Sequence, residues 1–134
     1  MAKQIPLTVI AQFTVPANAT ANNIYPVTFI VDPQKGAQGD ITIPKGEAWV
    51  LEDIFVTSAP SIDGLVQVFK NDYTLEIQTD PLSTLVVSNP AKPKYPKKVY
   101  VGFDKISAKA INLAAGGASA TTITFYIKIS RFVA

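Results

Sequence analysis

Residues 121–133 read Thr121-Thr122-Ile123-Thr124-Phe125-Tyr126-Ile127-Lys128-Ile129-Ser130-Arg131-Phe132-Val133. Ile123, Phe125, Ile127 and Ile129 recur at every second position, and Thr122, Thr124, Tyr126, Lys128 and Ser130 fill the places between. Successive side chains of a strand point to opposite faces, so a period of two predicts a long strand with one face buried and the other in solvent. The strand runs almost to the end of the sequence, so the chain end is expected to be paired rather than loose.

The same alternation recurs upstream. Ile5, Leu7, Val9, Ala11, Phe13 and Val15 share one face of a first strand, and Pro6, Thr8, Ile10, Gln12 and Thr14 share the other. Residues 24–31 form a second strand, with Pro26 placing part of it at an edge or bend. A short strand at 40–43 ends at Pro44-Lys45-Gly46. Residues 47–58 carry Trp49, Leu51 and Phe55 on one side and Val50, Ile54 and Val56 on the other. Apolar side chains on both sides imply burial on both faces, or cover from a neighbouring subunit. Asn71-Asp72 separates strands at 65–70 and 73–78 and fits a two-residue hairpin, because both residues tolerate positive φ. Further strands are expected at 84–87, 98–103 and 105–113, with a flexible turn at 114–120.

The composition agrees with this pattern. Ten prolines argue against long helices, and 134 residues suit a single domain over 1–134. The reading is an all-β chain of eight to ten antiparallel strands in a sandwich or closed barrel, because the loops are too short for crossover helices. Long alternating strands near both ends of the sequence leave edges that must be paired, covered or charged. The first thirteen residues lack the continuous apolar core of a signal peptide, being broken by Pro6, Thr8 and Gln12. No run approaches the ~18–20 apolar residues of a membrane helix, so a soluble product is expected.

Charge and residue types restrict function further. Twelve Lys+Arg stand against ten Asp+Glu, for a net charge of +2, and Cys and His are both absent. Thiol nucleophiles, disulfides, zinc sites of the usual ligand types, Ser-His-Asp triads and His bases are thereby excluded. No catalytic residue, cofactor or metal is expected. Glu52 and Asp53 sit among apolar residues in mid-strand. Neighbours on a regular strand face opposite ways, so they cannot act as an acid/base pair; an ion pair with a Lys or Arg of the next strand, or with another subunit, is the better reading, and a buried acid of raised pKa is the alternative. Asp32, Asp40, Asp63, Asp72, Asp80 and Asp104 fall in turns without calcium-loop spacing and read as turn formers. Lys92, Lys94, Lys97 and Lys98 form the one charge cluster. It reads as a solvated loop or subunit contact, with an anionic surface (nucleic acid or membrane) as the alternative. Trp49 reads as core or interface, with a sugar-stacking platform formed with Tyr25, Tyr73, Tyr95, Tyr100 and Tyr126 as the alternative.

The loop Ile43-Pro44-Lys45-Gly46 leads into Glu47-Ala48-Trp49-Val50-Leu51-Glu52-Asp53-Ile54. Residues 65–70 with Asn71, then Ile111-Asn112-Leu113 and the 121–133 strand, follow in order. In strand order and turn placement over most of the chain, this resembles small β-sandwich and single jelly-roll structural proteins of viruses: capsid, turret, spike or decoration subunits. The resemblance implies a jelly-roll-like fold and self-assembly into a shell or symmetric protrusion, without catalysis. It implies a homo-oligomer among other virion proteins, located in the virion and synthesised in a host cytoplasm. Trp49, Phe55, Tyr126 and Arg131 are the candidate contact residues. A carbohydrate- or receptor-binding sandwich with a glycan ligand is the alternative, and a carboxylate-driven glycosidase would need two acids ~5–9.5 Å apart in a cleft.

Overall fold

The structure, a computed structural model, describes residues 3–87 and 95–134. In chain order its strands are β1 (Lys3–Val15), β2 (Ile24–Pro26), β3 (Thr28–Ile30), β4 (Ile41–Thr42) and β5 (Glu47–Phe55). There follow β6 (Gly64–Lys70), β7 (Thr74–Gln78), β8 (Lys98–Val101), β9 (Lys105–Asn112) and β10 (Thr121–Val133).

Their pairings nest inside one another. β1 pairs with β10 along its whole length, β2 with β9, β5 with β8, and β6 with β7. The chain is thus one ribbon doubled back on itself at the β6–β7 turn. Successive pairs then fall alternately into two antiparallel sheets: β3-β1-β10-β5-β8, and β2-β9-β6-β7 with β4 beside β2 on β9. This wrapping of a doubled ribbon into two sheets is the jelly-roll form of the sandwich. β10, which in sequence looks exposed to edge pairing, lies in the middle of the first sheet between β1 and β5.

The inward face of β10 is the one its alternation predicts. Ile123, Phe125, Ile127 and Ile129 are buried, as are Val9, Ala11, Phe13 and Val15 of β1. Val66 and Val68 of β6 and Ile106, Ala108 and Ala110 of β9 complete the core from the second sheet. Each fully buried large aliphatic or aromatic side chain contributes about 1.5–3 kcal/mol. At one end of the sandwich, buried Asn112 ties two loops together. It accepts the Asn23 N–H at 2.8 Å and donates to the carbonyls of Thr20 and Ala114 at 2.9 and 3.0 Å. Asn18 N–H also bonds Gly117 O at 2.7 Å, so the turn at 114–120 is bonded to the 16–23 loop.

Four expectations need correction. The strand foreseen at 24–31 is broken at Val27, whose N–H still reaches Ala108 O of the second sheet while Thr28 already pairs with Gln12 of the first. Proline at 26 ends the ladder there, and the chain changes sheets. Residues 84–87 are not a strand: Leu82–Thr84 is a 3-10 turn, and Val86 makes one parallel bridge to Val56. The β6–β7 loop has three residues, Asn71, Asp72 and Tyr73, closing on a Lys70–Thr74 pair. Fourth, β5 is bulged. Lys128 lies opposite Asp53 and Ile129 opposite Leu51, which leaves Glu52 without a partner in the ladder. The extra residue reverses the alternation, so Trp49, Leu51, Ile54 and Val56 are all buried, and Phe55 turns outward instead of sharing a side with Trp49.

Candidate interaction surface

Residues opposite one another in the ladders line up in rows across the outer face of the first sheet. One row runs Gln4, Phe132, Ala48, Val101, and the next Pro6, Ser130, Val50, Val99. A third holds Thr8, Lys128 and Asp53, and a fourth Ile30, Ile10, Tyr126 and Phe55. The outward face of an antiparallel sandwich sheet is ordinarily polar. Here two rows near β8 are largely apolar, with Val99 and Val101 50% and 52% exposed. A charged band separates them from the apolar row ending in Phe55.

That band is organised by the bulge. Glu52 meets Lys97 Nζ at 2.9 Å, and as the extra residue of the bulge it falls on the same outer face as Asp53. The two carboxylates therefore share a face, contrary to the regular-strand expectation. The Lys97 hydrogen bond, with help from Ser130 and against the opposing effect of burial, lowers the Glu52 pKa. A second bulge, in β7, singles out Glu76, since Val68 pairs with Ile77 and Phe69 with Leu75. Glu76 meets Lys70 at 3.5 Å and Lys98 at 3.8 Å. Consecutive lysines thus reach acids on two different sheets. Of the four clustered lysines, Lys97 and Lys98 make these intrachain ion pairs, while Lys92 and Lys94 lie outside the described residues.

The four candidate contact residues separate into two groups. Trp49 is 4% exposed and belongs to the core. Its indole N–H donates to Glu47 Oε1 at 3.0 Å, and the Arg131 guanidinium lies 5.2 Å from its ring. Arg131 donates to the same oxygen through Nη2 at 2.8 Å and Nε at 3.1 Å. Three donors converge on one carboxylate oxygen, and the Arg131 hydrogen bonds, outweighing burial, hold the Glu47 pKa below its ordinary value. Phe55 and Tyr126 stack on the outer face, centroids 5.5 Å apart, both half-buried.

The edges of the first sheet are blunted. Phe29 exchanges backbone hydrogen bonds with Gln38, so its neighbours Thr28 and Ile30 face β1 and bond Gln12 and Ile10. Even-numbered residues of β1 therefore direct their backbone groups to that side, and beyond β3 the unpaired stretch carries Pro6, which has no N–H to offer. At the opposite edge, the Val101 N–H and C=O are both taken by Asp104, at 2.9 and 2.8 Å.

Asp104 belongs to a cluster of turns at one end of the sandwich. Asn71 donates to its carboxylate at 3.2 Å and accepts the Lys105 N–H at 2.8 Å; Lys105 Nζ bridges Asp72 at 2.6 Å and Asp40 at 3.5 Å. Asp63 likewise accepts the Gly64 and Ser83 N–H groups at the opposite end. Phe103, held at φ +70° by Ile43 O and the Asp104 turn, is 71% exposed, and Tyr73 in the adjoining turn is 92% exposed. A groove of about 390 Å³ on the outer face of the second sheet is lined in part by Asp40, Asp72, Lys105 and Lys109. Among the described residues, no three acids, His or Cys gather to hold a metal. No helix among them is long and apolar enough to cross a membrane.

Sequence reading missed the two apolar rows on the first sheet, because rows exist only once register is known. Their local signs were the alternation of Val99 and Val101 about buried Tyr100 and Val50 on the second apolar side of β5. In comparison with known proteins, no family model matches the chain and no curated protein matches it significantly.

Proposed function

We propose that the chain is a structural subunit of a virion, in a capsid, turret, spike or decoration role, and that it works by packing against copies of itself and other virion proteins. One observation carries the reading: apolar rows containing Val50, Val99, Val101 and Phe132 lie on a sheet face where the other described residues leave Val99 and Val101 half exposed. The jelly-roll strand order and the resemblance to viral single jelly-roll subunits support it. Residence in the virion after synthesis in a host cytoplasm belongs to the same proposal. Sedimentation and native mass measurement over a wide concentration range test it. A closed oligomer or particle is expected, and a chain that stays monomeric at high concentration overturns the reading.

A second reading has its own observation. Tyr73 and Phe103 project from adjoining turns at one end, beside Asn71 and Asp104, as a sugar- or receptor-binding tip would present aromatic and amide groups. Loss of glycan-array binding in a Tyr73→Ala, Phe103→Ala chain would support it, whereas an array without binding by the native chain removes it.

A further inference from the structure

We infer that the corner of the first sheet's outer face built by β5, β8 and β10 seats a second copy of this chain, face to face rather than by strand addition at an edge. The inference rests on the assembly reading above and names the surface it uses. Strand addition requires a row of free backbone donors and acceptors. On the first sheet, Pro6 interrupts one such row and Asp104 occupies the Val101 groups that begin the other. On this sheet, the outer face is the surface left for a sizeable contact.

Its chemistry selects the occupant. The band beside the apolar corner carries Glu52 and Asp53 against Lys97 and Lys128, so the two signs cancel. A polyanion or anionic membrane would meet two carboxylates there at a cost. A copy of the same surface brings both signs and the same apolar rows, which is what a self-complementary two-fold contact needs. A stable interface takes ~800 Å² and some 20–30 residues from each partner. The four rows hold fifteen residues and Glu52 and Lys97 make seventeen, so the contact, centred on this corner, draws on the whole width of the face and on its rim to reach that size.

The absence of cysteine makes the test clean, since one introduced thiol is unique. Val101→Cys and, as a control on the other sheet, Leu75→Cys are labelled with a maleimide in dilute and in associated protein. Protection of the Val101→Cys thiol by at least tenfold on association, with Leu75→Cys still reactive, is the expected result. A Val99→Lys, Val101→Lys chain, checked for native-like melting, should need at least tenfold higher concentration to associate. If the native chain associates but Val101→Cys labels at an unchanged rate, the surface is wrong and the assembly reading survives. If the native chain never associates, both fall.

Discussion

Lys97 Nζ lies 2.9 Å from Glu52 Oε2, and Glu52 is the residue that β5 has in excess over β10. The ion pair therefore sits on the bulge that sets which side chains of β5 enter the core. The Lys97 side chain is well exposed, at 64%, so solvent and salt screen the attraction. A double-mutant cycle on Glu52→Ala and Lys97→Ala, read by urea unfolding, should return a coupling of only about 0.2–1 kcal/mol. A coupling above about 2 kcal/mol would show that the pair holds the bulge in place rather than decorating it.

Acid should unfold the chain through carboxylates that are bonded in the native state. Glu47, Glu52, Asp63, Asp72 and Asp104 all have pKa values lowered on folding: Glu47 by Arg131, Glu52 by Lys97, Asp72 by Lys105 and Asp104 by the Val101 N–H. For Asp63, burial acts upward and is outweighed by bonds from Ser83, Gly64 and Leu82. A depressed carboxylate contributes stability that is complete above its unfolded value and lost as pH falls through the folded one. The melting temperature should hold steady above the ordinary Glu value of 4.5 and fall below it. Glu47→Gln should lower the plateau and flatten the acid slope; an unchanged slope would exclude Glu47 as a contributor.

Replacing Asn112 should cost more than its single position indicates. Asn112→Leu removes the acceptor of the Asn23 N–H and the donor to the Ala114 carbonyl, while the Thr20 carbonyl keeps only the Asn23 amide. An unsatisfied buried group costs about 1–3 kcal/mol, so a loss in that range or above it is expected by chemical denaturation. The loops at 16–23 and 114–120 should also exchange amide hydrogens faster. Destabilisation without faster exchange there would argue that the side chain serves packing alone.

Phe103 holds a backbone conformation that costs an ordinary L-residue ~1–2 kcal/mol. Phe103→Gly removes that cost, against ~0.5–1 kcal/mol of added chain entropy, so the protein should be as stable as before or more stable by up to ~1.5 kcal/mol. Thermal melting checks this. A clear loss of stability would mean that the exposed ring packs on the subunit after all.

The parts of this fold legible in sequence are those governed by one strand at a time. The inward sets of β1 and β10 follow from alternation alone, and the positive φ values of Asn71 and Asp72 follow from their short polar side chains. β5 carries apolar residues on both sides for a physical reason: one extra residue turns a one-sided strand into an apparently two-sided one. The bulge at Glu52 accounts for Ile54 and Val56 without burial of both faces, while Val50 stays on the outer face, where cover from a neighbouring subunit is the other reading of the pattern. The candidate surface was partly visible. Phe55 and Tyr126 do face outward, but Trp49 reads the same in sequence and is core. Rows such as Phe132, Ala48 and Val101 join residues remote in the chain, and no local pattern can align them.

The nested pairing also dictates an order of events during synthesis. Gln4 and Ser130, bonded at 3.2 Å, are 126 positions apart, and closure between such distant segments is slow. Until β10 emerges from the ribosome, β1 and β5 have no strand between them, and Val9, Phe13 and Leu51 lack the hydrophobic cover it brings. Phe132 is also missing from between Gln4 and Ala48. A nascent or truncated polypeptide therefore lacks the finished outer face of the first sheet, which forms only once the chain is translated through β10.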